Sequence, residues 1–136
     1  MDSAWILDIE NKVLSLVQAK VRPKLIKKFP KLNFTTSDLN TTAKPEFPCV
    51  YIHALPGSEV AKNNETCSIN AVNCGIQIEV NSDKSQSDNK RVMAEIVDAM
   101  AAMHYTVNQT PYNDNMTARY RMICRFRRKI GSEDIL

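Results

Sequence analysis

The sequence has 136 residues, with three glycines, six prolines and 43% apolar residues. This gives one domain room for a core without covalent staples and excludes a flexible or low-complexity chain. A net charge of +3 at pH 7 is too mild to point to nucleic acid by itself. Asp8, Glu10 and Lys12 interrupt the first helical stretch, and Glu95 and Asp98 the most apolar run, so neither a signal peptide nor a membrane span is expected.

Asp2 or Ser3 can cap a first helix, with Asp8 and Glu10 near its positive end. Ile6, Ile9, Val13, Leu16 and Val17 trace its apolar stripe, and Leu25, Ile26 and Phe29 continue that face. Pro23 should stop or kink the helix, or open a second turn, and Pro30 ends it. Lys20, Arg22, Lys24, Lys27, Lys28 and Lys31 crowd the C-terminal end, where cations suit the helix dipole and can face solvent.

Leu32 to Thr35 can form a short edge strand, and Ser37 to Lys44 is a polar connection. The next strand runs from Phe47 to Leu55, with Val50, Ile52 and Ala54 in one phase. Pro48 places its start at an edge, and Pro56-Gly57 breaks it. Ser58 to Thr66 then reads as a polar loop or the twisted tip of a long hairpin. A connection of that length is usually functional or mobile. Lys62, Asn63, Asn64 and Glu65 lie at its apex and are candidate assembly residues.

The stretch from Ser68 to Lys129 organises the chain as strand, helix and hairpin. Val72, Cys74, Ile76, Ile78 and Val80 fall on every second residue, so one face of an extended segment is apolar. Asn81 to Asp88 is a polar connection. Val92, Met93, Ile96, Val97, Met100 and Met103 recur at helical spacing, which predicts an amphipathic helix from about Ser87 to His104. Val107 to Tyr112 predicts a short edge strand because it contains Pro111, and Asn113-Asp114-Asn115 is a turn signal. The last strand runs from about Met116 to Ile130, with Met116, Ala118, Tyr120, Met122, Cys124 and Phe126 in its apolar phase. The expected fold is α+β: a mainly antiparallel (mixed) sheet with an N-terminal helix, a second helix packed on one face and a long hairpin loop. One domain covers 1–136, with a short acidic tail at 131–136.

Chemistry-bearing constellations are sparse. The two histidines, His53 and His104, have no Cys or carboxylate at ligand spacing, and no phosphate loop, nucleophile elbow or paired-carboxylate motif is present. Neither an enzyme, a cofactor nor a metal site is expected. The four cysteines, Cys49, Cys67, Cys74 and Cys124, show no CxxC spacing and read as free thiols in a reducing compartment.

One pattern exceeds this background. Arg119, Arg121, Arg125 and Arg127 share one phase of the last strand, where like charges two apart repel and need acid, water or phosphate. Three readings stay open: a solvated face balanced by Gln77 and Glu79 on a neighbouring strand, pairing with carboxylates of another subunit, and contact with a nucleic-acid backbone. Aromatic residues are not interleaved on this face, which disfavours base stacking.

The order of segments also carries a resemblance. A helix is followed by "FPCVYI", a polar loop, "NCGIQIEVNSD", a helix "DNKRVMAEIVDAMAAMHY", a short strand around "TPYNDN" and a final "TARYRMICRFRR". This resembles the tail terminator (tail completion) proteins of long-tailed bacteriophages over nearly the whole chain. His104-Tyr105 stands where the family pattern has a Gly-aromatic pair. The resemblance implies a structural virion protein of the tail or neck, assembled in the host cytoplasm. It implies a homo-oligomeric ring, a hexamer, that ends tail-tube polymerisation and joins the tail to the head connector. Its partners would be other copies of itself, the tail tube protein and the connector or stopper protein, with DNA passing transiently through the ring and no membrane. A neck head-completion or stopper protein is the neighbouring alternative. A small nucleic-acid-binding module using the Arg119–Lys129 strand face is the alternative from another class.

Overall fold

The computed structural model describes residues 4–37, 46–63, 68–131 and 134, with the side chains of 57–63 and 68–70 outside that description. The fold is α+β. It runs α1 (Trp5–Leu25), β1 (Asn33–Thr35), β2 (Cys49–Asn63), β3 (Ser68–Ser82), α2 (Gln86–Ala102), β4 (Thr106–Asn113) and β5 (Tyr120–Gly131). The strands form one sheet in the order β1-β2-β3-β5-β4, antiparallel throughout except for the parallel β1–β2 pair.

The strand with the clearest alternation takes the centre. Val72, Cys74, Ile76, Ile78 and Val80 of β3 are all buried, and Val50 and Ile52 of β2 and Met122, Cys124 and Phe126 of β5 join them on the same face. Both helices close that face. α1 buries every fourth residue, Ile9, Val13, Val17, Val21 and Leu25, and α2 buries Val92, Met93, Ile96, Ala99 and Met100. Ile6, Leu16 and Val97 are only half-buried at the rim of this core. Lys24 Nζ, 3.6 Å from Glu95 Oε2, ties the two helices together.

The termini of the helices follow local chemistry. Asp2 and Ser3 lie outside the described residues, and Ala4 precedes α1 without a side-chain cap. Pro23 sits inside the last turn, where it removes one backbone donor, and the regular helix ends two residues later at Leu25 rather than reaching Pro30. The Ile26 and Phe29 N–H groups still donate to the Arg22 and Leu25 carbonyls, at 2.9 and 2.8 Å. Ser85 Oγ caps α2 by accepting from the Asp88 N–H, so the helix starts one residue before the expected Ser87. At its other end, the Tyr105 N–H donates to the Met100 carbonyl and the His104 N–H to the Ala101 carbonyl, both at 3.0 Å. This double bond pattern ends the helix at Ala102 and puts His104 in the left-handed region, with φ 67°.

Two strand boundaries differ from the sequence reading by more than two residues, the end of β2 and the start of β5. β2 does not break at Pro56-Gly57 but runs on to Asn63, with its register against β3 shifting between Leu55 and Ser58. β1 covers only Cys49–Tyr51, so among the described residues the outer edge of β2 is otherwise free of a strand. The Ala54 N–H points to that edge and donates to Glu10 Oε2 at 2.8 Å, and Pro56, two residues on, places its missing donor on the same side. The hairpin therefore pairs as far as Asn63 opposite Ser68. Lys62 and Asn63, expected in a loop, lie on strand backbone, while Asn64 and Glu65 lie outside the described residues.

β5 starts at Tyr120, not Met116. The β4–β5 hairpin continues through the Asp114 N–H to Arg121 carbonyl bond at 2.8 Å and the Met116 N–H to Arg119 carbonyl bond at 2.9 Å, so the chain reverses at Thr117-Ala118 rather than at Asn113–Asn115. Met116, Ala118 and Tyr120 are consequently exposed instead of joining the core. β4 is an edge strand, as Pro111 requires, and all of its residues are exposed.

Candidate functional site

The face of the sheet turned away from the helices carries the odd-numbered residues of β2, β3 and β5. Its centre is a polar network rather than a bare row of cations. The half-buried Arg121 places Nη1 3.2 Å from Glu79 Oε1 on β3, donates through Nη2 to the Asp114 carboxylate, and donates through Nε to the Asp114 carbonyl at 3.2 Å. Glu79 is 8% exposed. Its second oxygen accepts from Gln77 Nε2 at 3.3 Å and lies 3.9 Å from His53 Nδ1. The His53 ring stacks on Tyr51, with centroids 4.5 Å apart. Gln77 in turn accepts from Arg125 Nε at 2.8 Å, which links Arg125 to Arg121 through two side chains.

The four arginines of the strand phase thus divide. Arg119 and Arg121 are half-buried and hold partners within the chain, Arg119 through an Nε donation to Asn81 Oδ1 at 3.2 Å. Arg125 and Arg127 are exposed. Gln77 and Glu79, read from the sequence as a balancing pair, do accept from this row. Asp114, read there only as part of a turn, supplies the other half of the Arg121 clamp. Its clue is a carboxylate seven residues before an arginine across a hairpin turn.

The sequence reading did not single out Arg128. It occupies the inward phase of β5, an unusual place for a cation, and its guanidinium lies 5.9 Å from the centroid of the Tyr105 ring. Arg127, Arg128 and Lys129 join Asn73, His104 and Thr106 around an open hollow of about 580 Å³ at the start of β4. A second hollow, of about 550 Å³, lies where the end of α1 meets the β3–α2 turn. Its wall mixes Lys28, Lys31 and Lys84 with Glu46, Asp83 and Asp88.

Cys67 lies outside the described residues, and the thiols of Cys49, Cys74 and Cys124 are buried. Burial pushes the Cys49 and Cys124 thiols up to about 11 and raises that of Cys74, so all three stay protonated near neutral pH and supply neither a nucleophile nor a thiolate ligand. Burial likewise raises the Tyr105 phenol, which therefore remains neutral. Among the described residues no group of three His, Cys, Asp or Glu side chains could hold a metal ion, and no helix is long and apolar enough to cross a membrane.

No protein-family model matches the chain, and no curated protein matches it. A solved structure whose title states no function is similar over 88% of this chain and 94% of its own length, at 12% identity and a TM-score of 0.40.

Proposed function

We propose that this protein is the ring-forming tail terminator of a long-tailed phage, a structural virion protein that ends tail-tube polymerisation and joins the tail to the head connector. The observation that carries this reading is the β2–β3 hairpin. β5 pairs with β3 only as far as Gly131 opposite Ala71, while the hairpin continues to Asn63 opposite Ser68 without a third strand beside it among the described residues. The described core reaches outward along β3 only to Val72. Among the described residues the arm is thus a two-stranded extension beyond the end of β5 in the five-stranded sheet, and such a ribbon needs packing from elsewhere to be stable.

Two open sheet edges support the same reading. β4 lies exposed on one side, and β2 beyond Tyr51 has no strand on the other among the described residues. Different edges on opposite sides suit head-to-tail contacts, which close into rings when the rotation allows. Arg125 and Arg127 are the exposed arginines of the sheet face and make no ion pair among the described residues, so they are available to carboxylates of the next subunit, whereas Arg119 and Arg121 are half-buried. The tail tube and the connector would dock on the two sides of the ring, and DNA would pass through its centre during ejection.

Excising residues 60–69 and closing the strands with an Asn-Gly turn tests the role of the arm. The shortened protein should keep its circular dichroism and cooperative unfolding but lose rings in negative-stain images. Unchanged rings would remove the arm from assembly, and loss of folding would place it in the core.

A further inference from the structure

We propose that the hollow at the start of β4 binds a phosphate group. β4 begins at Thr106, opposite Arg127, whereas β5 runs on to Gly131. Among the described residues, β5 from Arg128 to Gly131 therefore has no strand on that side, and the hollow lies beside this free edge. Among the described residues its wall is Asn73, His104, Thr106, Arg127, Arg128 and Lys129, three full cations with an imidazole, an amide and a hydroxyl that donates to the Arg127 carbonyl, and no carboxylate.

This grouping differs from the rest of the same strand. Arg121 has Glu79 and Asp114, Arg125 has Gln77, and Arg119 has Asn81. Arg127, Arg128 and Lys129 make no ion pair among the described residues. Asp134 is occupied nearby in sequence, its carboxylate accepting from the Gly131 N–H at 2.7 Å. Arg127 and Lys129 share the outward face of β5 two residues apart, Arg128 lines the same hollow from the inward phase, and an anion there relieves the repulsion of cations that have no counter-charge among the described residues.

Arg128 sharpens the inference. Its Nη1 is buried and has no hydrogen-bond acceptor among the described residues. A buried charged donor left unmade is costly, so the site calls for an acceptor. Packing against the Tyr105 ring orients the planar guanidinium and leaves its edge for hydrogen bonding. A phosphate offers several acceptor oxygens and more than one negative charge, enough to serve more than one of the cations that line the hollow. A single carboxylate would leave part of this set unpaired. The hollow lies within one chain, and Arg127 is the residue it shares with the subunit contact proposed above, so a phosphate there and a carboxylate of the next subunit would compete for it.

The test uses sodium pyrophosphate at constant ionic strength, read by melting temperature and by amide shifts in NMR spectra. Pyrophosphate should raise the melting temperature saturably and shift amides at His104, Thr106 and Arg127 to Lys129. Replacing the exposed Arg127→Gln together with Lys129→Gln should weaken binding by roughly tenfold or more, the loss expected for one charge-assisted bond. Arg125→Gln, which removes an exposed cation from the same strand outside the hollow, should leave binding unchanged. A rise that never saturates, or an equal loss in Arg125→Gln, would show diffuse screening and overturn the proposal. Adding a short DNA duplex separates two sources of the phosphate. Displacement of pyrophosphate identifies a nucleic-acid backbone and retention identifies a small polyphosphate, and either upholds the site.

Discussion

The Arg121 guanidinium spans the Glu79 carboxylate on β3 and the Asp114 carboxylate beyond the end of β4, so one side chain ties the centre of the sheet to its outer hairpin. Glu79 is nearly buried, while Asp114 is about half exposed. A buried carboxylate stripped of its partner is strongly destabilising, and the solvent reaching Asp114 reduces its share of that effect. Arg121→Ala should therefore cost about 2 kcal/mol in urea unfolding, whereas Arg125→Ala should stay within about 0.5 kcal/mol. Equal effects at the two positions would mean that the row is one solvated face.

The thiols give a pH dependence of stability. Burial pushes Cys49 and Cys124 up to about 11 in the folded protein, while the unfolded chain releases those protons at the ordinary thiol value. Above that ordinary value the unfolded state binds fewer protons than the folded one, so stability must fall as pH rises. The contribution is fully present at pH 8 and is lost progressively between about pH 9 and 11. Urea unfolding from pH 8 to 10.5 should show this decline. Cys49→Ala should flatten the slope by up to about 1.4 kcal/mol per pH unit, whatever it does to stability at pH 8.

His104 occupies a glycine's conformation. Its φ of 67° is the left-handed region, and the Met100 and Ala101 carbonyls are satisfied only because the chain turns there. His104→Gly should raise stability by about 0.5–1 kcal/mol in urea unfolding, once the added freedom of the unfolded chain is set against the relieved strain. A loss of stability would mean that the imidazole makes contacts worth more than the strain.

Much of this fold is legible in the sequence where one physical cause dominates. Period-two burial along Val72–Val80 and helical spacing from Val92 to Met100 placed the inner face of the sheet and its cover, and Pro111 marked β4 as an edge. Pro56-Gly57 misled because a proline breaks only a strand whose donor is needed, and that need depends on which edge is open. Met116 and Ala118 share the phase of Met122, but the hairpin reverses before the core begins. For the candidate face, Gln77 and Glu79 were readable as polar positions beside arginines. The Asp114 clamp, the inward Arg128 and the turn that brings His104 beside Lys129 depend on register and chain reversal, which no local pattern encodes.

Mass in solution, measured with negative-stain images over a range of concentrations and with tail tubes present, tests the ring most directly. The native chain should form rings of six, free or at the tube end. Replacing the exposed pair by Arg125→Glu and Arg127→Glu should dissolve those rings while the melting temperature of the subunit holds. A native chain that remains a compact monomer at every concentration, and leaves tail tubes uncapped, would contradict the assignment.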